Sequence, residues 1–218
     1  METTSTERRT DVLKASPRMF ESDLLDKLSR VHPSVPVILF LPAIVVLMVL
    51  AAGRMGVLPL IGLFAGGYAF WSLAEYWIHR GIFHFEPEQG FGARLHWIIH
   101  GVHHDHPNDP MRLVMPPSVS VPLSALFCLG FYAVLGAPWW LAFSAGFLAG
   151  YLIYDMTHYH LHHHMPKSAF GKKLRELHMR HHFQDDTTGY GIAAPYWDWI
   201  FRTKVDRARR AAAAPHEE

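Results

Sequence analysis

Four long stretches of the chain carry almost no charge. They cover residues 35–53, 55–78, 119–137 and 139–158. About 20 helical residues are needed to cross a hydrocarbon core about 30 Å thick. None of the four stretches shows the polar stripe at helical period that a surface helix turns toward water. The pattern therefore predicts an all-α integral membrane fold with four transmembrane helices, and a soluble bundle with very apolar core helices is the alternative.

Short connections predict that these helices form two hairpins. The first two are joined around Arg54 and the last two around Gly136 and Pro138, so both tight turns fall on one side of the membrane. The other side receives the following basic residues: Arg8, Arg9, Lys14, Lys27, Lys167, Lys172, Lys173, Arg175 and the run Arg207–Arg210. The positive-inside rule predicts that this side faces the cytosol, from the inner membrane of a bacterium or from the endoplasmic reticulum of a eukaryote.

Two polar segments flank the predicted membrane domain, which covers residues 35–205. Residues 1–34 lack the layout of a signal peptide and are expected to stay attached as a cytosolic or interfacial segment. Apolar residues recur there at roughly helical spacing: Phe20, Leu24, Leu25, Leu28 and Val31. They predict either a helix lying in the membrane interface or an ordinary packed surface helix. Residues 206–218, a basic and alanine-rich tail, are predicted to be disordered.

Composition supports a membrane protein and limits the ligands available to a metal. Hydrophobic residues make up 50% of the 218 residues and charged residues 18%, with a net charge of +1. The single cysteine, Cys128, falls within the third apolar stretch, which excludes a disulfide and a thiolate metal site. Any metal must then be held by nitrogen or oxygen. The basic face is suited to anionic lipid headgroups rather than to nucleic acid.

Histidines are concentrated at the ends of the apolar stretches. Fifteen of the 17 histidines lie between His79 and His182, in four bunches. Positions three or four apart share one face of a helix, where two imidazoles can reach one ion. His79 and His84 are five apart around Gly81, which fits a helix end where the second ligand curls back. Ten histidines satisfy these spacings: His79, His84, His100, His103, His104, His158, His162, His178, His181 and His182.

Ten imidazoles are too many for one metal ion. A structural zinc site uses about four protein ligands and a catalytic one about three, whereas ten histidines would supply about five to each of two ions. The sequence therefore predicts a cytosolic, helical, histidine-rich cap that holds a dimetal centre. Imidazole suits iron, zinc and copper, so the ligand type does not select the metal. The alternative is that these histidines are solvated or capping residues near the interface.

Further residues are candidates for roles around this centre. Metal-bound imidazoles usually donate their second N–H to a carboxylate or a carbonyl. Glu75 and Asp155 lie one turn before His79 and His158 and are our candidates for orienting residues, with helix-end solvation as the alternative. His96, one turn before His100, is expected to be a second-shell or packed histidine, with a further metal ligand as the alternative. A substrate slot, or alternatively an aromatic belt at the membrane interface, would involve the following residues: Trp71, Tyr76, Phe83, Tyr151, Tyr154 and Tyr159.

The histidine-containing segments of the chain resemble the integral-membrane fatty acid hydroxylase superfamily. Within it, they are most similar to the fatty acid 2-hydroxylases that act on sphingolipid acyl chains. The matching strings are EYWIHRGIFH from Glu75, LHWIIHGVHHDHPNDPMRLVMPP from Leu95, YDMTHYHLHH from Tyr154, HMRHHF from His178, GYGI, and WDWIFRT from Trp197. The RLVMPP and WDWIFRT segments favour the 2-hydroxylases over the related sterol oxidases and desaturases.

The resemblance implies a division of the ten ligands between two metals. One metal would take His79, His84, His100, His104 and His181, and the other His103, His158, His162, His178 and His182. The chain departs from the yeast and animal pattern, because it shows no fused cytochrome b5 domain and no HPGG haem-binding motif. The resemblance therefore implies a separate electron donor: a cytochrome b5, a ferredoxin or a reductase.

The histidine spacing and the family resemblance together lead us to expect a di-iron monooxygenase. Hydroxylation of an unactivated C–H bond requires a redox metal and dioxygen, and zinc, which could occupy the same site, has no redox chemistry. We expect one oxygen atom of O2 to be inserted at C2 of an acyl chain in ceramide, another sphingolipid or a free fatty acid. A sterol or carotenoid oxidase, or a desaturase, would use the same centre. A zinc-dependent membrane hydrolase is the second alternative.

Overall fold

The computed structural model describes residues 8–204, which contain helices and no β-strand. The α-helices are α1 (Arg9–Lys14), α2 (Asp23–Leu28), α3 (Ser34–Ala52), α4 (Val57–Ile78), α5 (Gly90–His96), α6 (Val102–Asp105), α7 (Pro117–Leu135), α8 (Trp139–His163), α9 (Ala169–Phe183) and α10 (Tyr196–Ile200). Two π-helical segments, His79–Phe83 and Trp97–Gly101, follow α4 and α5 directly. The predicted all-α class is confirmed. The predicted tail, with Arg207–Arg210, lies outside the described residues.

Three helices in the described part of the chain are long and apolar enough to cross a membrane: Ser34–Ala52, Val57–Phe83 and Pro117–Leu135. The sequence predicts four such spans. The remaining one, α8, has 25 residues. The part of it that precedes the histidines is rich in glycine, alanine, serine and tyrosine rather than in large aliphatic side chains. Its composition is therefore that of a helix surrounded by other helices. The protein is an integral membrane protein, and the fourth span stays a prediction.

Helix α8 is the centre of the bundle. It packs most extensively against α4, then against α3 and α7, whereas α3 and α4 make little contact with each other. The short connections join α3 to α4 and α7 to α8. Helices α7 and α8 are also packed together, whereas α3 and α4 are connected but contact α8 rather than each other. Both α4 and α8 run from these connections toward the histidines, which brings the histidine-bearing ends of both helices together at one end of the bundle.

Two glycines allow α4 and α8 to approach closely. A Cβ atom on Gly67 of α4 would collide with the backbone oxygen of Phe143, and a Cβ atom on Gly146 of α8 would collide with that of Phe64. Small residues at a crossing point allow the backbones of two membrane helices to touch, and van der Waals contact then replaces the hydrophobic effect as the source of association. The α4–α8 crossing therefore sets the position of both helices.

The first prediction concerns this crossing. Gly67→Ala is expected to lower the free energy of unfolding by about 1–3 kcal/mol, because the added methyl group overpacks a contact between two backbones. Gly62→Ala, at a position of the same helix where a Cβ would meet nothing within 4 Å, is the matched control and should be neutral or stabilising. Thermal unfolding of both variants in detergent checks this. Equal effects of the two substitutions would contradict the proposed crossing.

The N-terminal segment packs on the loop that follows α6. The backbone N–H of Val31 donates to the carbonyl of Met111 (2.6 Å), and Asp26 forms an ion pair with Arg112 (2.9 Å). Val31 is buried. Three other residues of the predicted interfacial or surface helix lie in α2 and are exposed: Leu24, Leu25 and Leu28. Residues 112–114 are buried, so the N-terminal segment and this loop are held together.

Candidate metal centre

A π-helical turn brings His79 and His84 together. Where α4 ends, the backbone N–H of His84 donates to the carbonyl of His79 (3.1 Å), five residues earlier. A π-helix closes one turn with such i→i+5 bonds, and single π-turns are often found at functional sites. A spacing of five residues does not match the turn of an α-helix, but it corresponds to one turn of this π-helix. The ring centroids of the two histidines lie 5.0 Å apart.

The next three histidines lie in the second π-helical segment and directly after it. His100 lies within Trp97–Gly101, and His103 and His104 follow in α6. The Nε2 atoms of His100 and His104 are 3.0 Å apart. His103 turns away from them and packs edge-to-face against His158, with ring centroids 4.7 Å apart. One short stretch of chain thus contributes histidines to two different clusters.

Helices α8 and α9 complete both clusters. The Nε2 atoms of His162 and His178 lie 2.7 Å apart, and those of His178 and His182 lie 3.2 Å apart. The neighbouring His181 points the other way, with its Nε2 atom 3.0 Å from that of His84. As with His103 and His104, adjacent residues therefore serve different clusters.

The ten predicted histidines form two groups of five. Within each group, one ligand atom from every residue lies within 4.8 Å of the others. We call the first group site A and the second group site B. Site A consists of His79, His84, His100, His104 and His181, and site B of His103, His158, His162, His178 and His182. These groups have the same members as the two ligand sets that the family resemblance implies.

The environment keeps these imidazoles neutral. Burial, reinforced by the neighbouring His181, lowers the pKa of His104 to about 3 and that of His84 to about 2. Burial also lowers the pKa of His103 and His178 well below the usual value. A neutral imidazole has one ring nitrogen with a free lone pair. Each group therefore offers several uncharged nitrogen donors at neutral pH.

Several of these nitrogens have no hydrogen-bond partner within the protein. The Nε2 atoms of His79, His103 and His158 are buried and unpartnered. An unpaired buried polar group costs free energy, and in native structures such groups usually bind something. Imidazole nitrogens are good ligands for iron, zinc and copper. The two groups could therefore each hold a metal ion, which would satisfy these atoms.

Backbone carbonyls orient two of the site A histidines. The Nδ1 atom of His79 donates to the carbonyl of Tyr190, and that of His181 to the carbonyl of Thr188, both at 2.7 Å. These bonds fix the tautomer and leave the lone pair of Nε2 free to bind a metal, as is usual for metal-bound histidine. Glu86 lies nearby, with a carboxylate oxygen 3.7 Å from Nδ1 of His84.

Two buried carboxylates hold the loop that supplies these carbonyls. The loop spans residues 188–194. Asp198 accepts hydrogen bonds from the backbone N–H groups of Tyr190 and Gly191 (both 2.9 Å), and Glu75 accepts from Ala193 N–H (2.8 Å). The hydroxyl of Thr203 also donates to Asp198 (2.8 Å). The segment that contains Asp198 and Thr203 therefore acts on site A through the loop backbone.

The predicted orienting residues have other partners than expected. Glu75 binds the loop backbone rather than His79, so its effect on that histidine is indirect. Asp155 accepts from the hydroxyl of Tyr151 (3.3 Å), one turn earlier on α8. His96 belongs to neither group, and its Nε2 atom lies 3.8 Å from Glu86. Helical spacing selected both carboxylates, whereas the partner of Glu75 is in a loop distant in sequence and that of Asp155 is a tyrosine on its own helix.

The six aromatic residues considered for a substrate slot fall into different places. Phe83 stacks on His100, and Tyr154 lies beside His158, with ring centroids 4.9 and 5.8 Å apart. Trp71 and Tyr151 pack together one layer deeper in the bundle (5.2 Å). The last two lie apart from this layer: Tyr76 bonds to Thr203, and Tyr159 packs on His163.

Sequence reasoning missed Asp198, Glu86 and the two carbonyls. The carbonyls carry no signal in residue identity, because every residue has one. Asp198 lies in the WDWIFRT stretch, which carries the family resemblance but has no helical spacing to any of the ten histidines. The position of Glu86 two residues after His84 was the only available hint for that carboxylate.

The second prediction concerns the loop. Asp198→Ala is expected to weaken metal binding at site A by about 10–100-fold, the usual range for loss of a group that orients a ligand, because the 188–194 loop loses two backbone hydrogen bonds. The metal content of the purified protein across a chelator titration measures this. Glu88→Gln, at an exposed carboxylate, is the control. Unchanged metal retention in a folded Asp198→Ala protein would refute the positioning role.

Comparison with known proteins agrees with this geometry. A family model described as fatty acid hydroxylase matches residues 64–203, which include all ten histidines. The chain belongs to the fatty acid hydroxylase family. It is accordingly an enzyme of the oxidoreductase class, similar to the fatty acid 2-hydroxylases.

The relatives include plant, fungal and animal proteins. The dihydroceramide fatty acyl 2-hydroxylase FAH2 of Arabidopsis thaliana is 40% identical over 193 residues, which cover 86% of this chain and 79% of that protein. The human fatty acid 2-hydroxylase is 35% identical, over 85% of this chain and 56% of the relative. A solved structure of full-length scs7p, with only its hydroxylase domain visible, has a TM-score of 0.80 and 36% identity, over 84% of this hydroxylase and 70% of that chain.

Proposed function

We propose that the protein is a di-iron, O2-dependent lipid monooxygenase that hydroxylates C2 of a fatty acyl chain. One observation carries this proposal: ten neutral, mostly buried histidines form two groups of five at one end of an apolar bundle. The family supplies the reaction type, since its relatives are named as fatty acid or ceramide hydroxylases. A lipid substrate fits a site that lies where membrane helices end.

The donor geometry supports one ion in each group. Metal–imidazole bonds are about 2.1 Å long, so two ligands at right angles around one ion have nitrogens about 3.0 Å apart. The Nε2 pairs His84–His181 and His100–His104 in site A are both separated by 3.0 Å. We propose that site A and site B each hold one iron, with the ten histidines as ligands. Two irons would supply the activation of dioxygen that no side chain can provide.

The surrounding residues keep the reaction in an apolar environment. Phe83 covers one face of His100, and Tyr154, Trp71 and Tyr151 form an aromatic layer below site B. We propose that Phe83 and this layer line the acyl slot, exclude water from it and orient C2 toward the histidines. Tyr76 and Tyr159 have other packing partners and are left out of the slot. Four spans, with the histidines facing the cytosol, complete this arrangement.

The substrate is inferred to be ceramide, another sphingolipid or a free fatty acid. Relatives that share most of this chain are named for dihydroceramide and ceramide acyl chains, and this is the support for a sphingolipid. We also propose that a separate cytochrome b5, ferredoxin or reductase supplies the electrons. A sterol oxidase, a desaturase and a zinc hydrolase would each give a different product.

The third prediction tests the reaction. Cells that express the protein with a competent electron donor are expected to accumulate lipids with a 2-hydroxyacyl group, detected by mass spectrometry of total lipids. His162→Ala should abolish the product because site B loses a ligand, whereas His164→Ala, at an exposed histidine two positions away on the same segment, should retain it. A desaturated or hydrolysed lipid in place of the hydroxylated one would refute 2-hydroxylation.

The fourth prediction separates iron from zinc. Protein loaded with iron is expected to hydroxylate the acyl chain in the presence of O2 and a reductant, whereas protein loaded with zinc should bind at the same sites and be inactive, because zinc has no redox chemistry. Metal analysis and product formation are measured on the same samples. Activity of the zinc-loaded protein without O2 would instead establish a hydrolase.

A further inference from the structure

A groove lies between the end of α8 and the start of α9. Its volume is about 400 Å³. The lower part is apolar, with Ile153 and Met156 on the wall and the buried Leu161 and Leu174 on the floor. The upper rim is polar and exposed, and includes His160 and Lys167. The groove therefore has an apolar part and a cationic rim.

The groove lies on the opposite face of α8 from the metal-site residues. Ile153, Met156, Thr157 and His160 follow each other at intervals of three, one and three residues. Each of these residues has a counterpart two positions earlier that faces the histidine groups. The counterparts are Tyr151, Tyr154, Asp155 and His158. Two helical positions correspond to a rotation of about 200°. The groove is thus distinct from the proposed acyl slot.

The depth of the groove matches the edge of the membrane. Helices α4 and α8 run in the same direction, and Trp71 of α4 contacts Gly150 of α8. Ile153, three residues further along α8, therefore lies near the level of Ala74, inside the span Val57–Phe83. His160 lies about 10 Å higher, seven residues on at 1.5 Å per residue, near the end of that span. The apolar wall therefore lies at a depth within this span, and the cationic rim lies at its end.

Residues beside the rim also match a lipid surface. Met165 and Phe170 are 73% and 67% exposed and flank Lys167. Met165 lies in the connection between α8 and α9, and Phe170 lies in the first turn of α9. Lys172 is exposed on the same turn of α9. Large exposed apolar side chains next to lysines are typical of segments that lie at the boundary of an anionic bilayer.

We propose that this groove binds one anionic phospholipid of the surrounding bilayer, with the phosphate at Lys167 and His160 and an acyl chain along Ile153 and Met156. The ligand is a structural lipid and not the substrate. Charge complementarity at the rim and continuity of the apolar wall with the membrane span support this occupant. The inference depends on the membrane orientation of α8 but not on the metal or on the reaction.

Native mass spectrometry of the purified full chain tests the proposal. The delipidated protein is titrated with phosphatidylglycerol, and separately with phosphatidylcholine that has the same acyl chains. We expect one phosphatidylglycerol to be retained in preference to phosphatidylcholine. Lys167→Gln should weaken its retention about fivefold, because one lysine at a membrane surface contributes about 1 kcal/mol. Lys173→Gln, outside the groove lining, is the matched control and should have no effect.

A second variant tests the apolar part. Met156→Trp fills the groove and should abolish lipid retention, whereas Met165→Trp, on the exposed side, should not. Gel filtration and metal content show that each variant is folded. Equal weakening by Lys167→Gln and Lys173→Gln would overturn the proposal in favour of general surface charge. Displacement of the phospholipid by ceramide or fatty acid would overturn it in favour of a substrate entry site.

Discussion

Ten imidazoles converge at one end of the bundle, and several of their nitrogens have no hydrogen-bond partner inside the protein. This convergence is unfavourable by itself, because desolvated polar atoms that remain unpaired cost free energy. A metal ion bound in each group would convert that cost into binding energy, and the folding of the cap would then be coupled to the binding of metal.

The rest of the structure holds the two groups in register. Helix α8 contacts α3, α4 and α7, and its glycine-mediated contact with α4 fixes the relative height of His79 and His158. Adjacent histidines in α6 and α9 contribute to different groups, so a shift of either helix would disturb both. The loop 188–194, tied to α4 through Glu75 and to the C-terminal segment through Asp198, then fixes ring orientation in site A.

The length of the uncharged stretches predicted the helical class, and the spacing of the histidines predicted that ten of them would cluster, because both are local properties of the sequence. The π-turn at His79 could only be inferred as an irregular helix end, since its hydrogen bond joins backbone atoms. The central position of α8 was not predicted, because the length and low charge of a stretch do not distinguish a helix in contact with lipid from one surrounded by other helices. The roles of Asp198 and the Tyr190 carbonyl depend on contacts between residues 79, 190 and 198, and spacing along one helix carries no information about those contacts.

The central claim is that each group of five histidines holds one metal ion. X-ray diffraction from crystals of the iron-loaded protein, recorded on both sides of the iron absorption edge, tests it most directly. Our account predicts two anomalous difference peaks per chain, one within site A and one within site B, each within bonding distance of its histidines. A single peak, or peaks outside the two groups in a folded protein with full iron content, would contradict it.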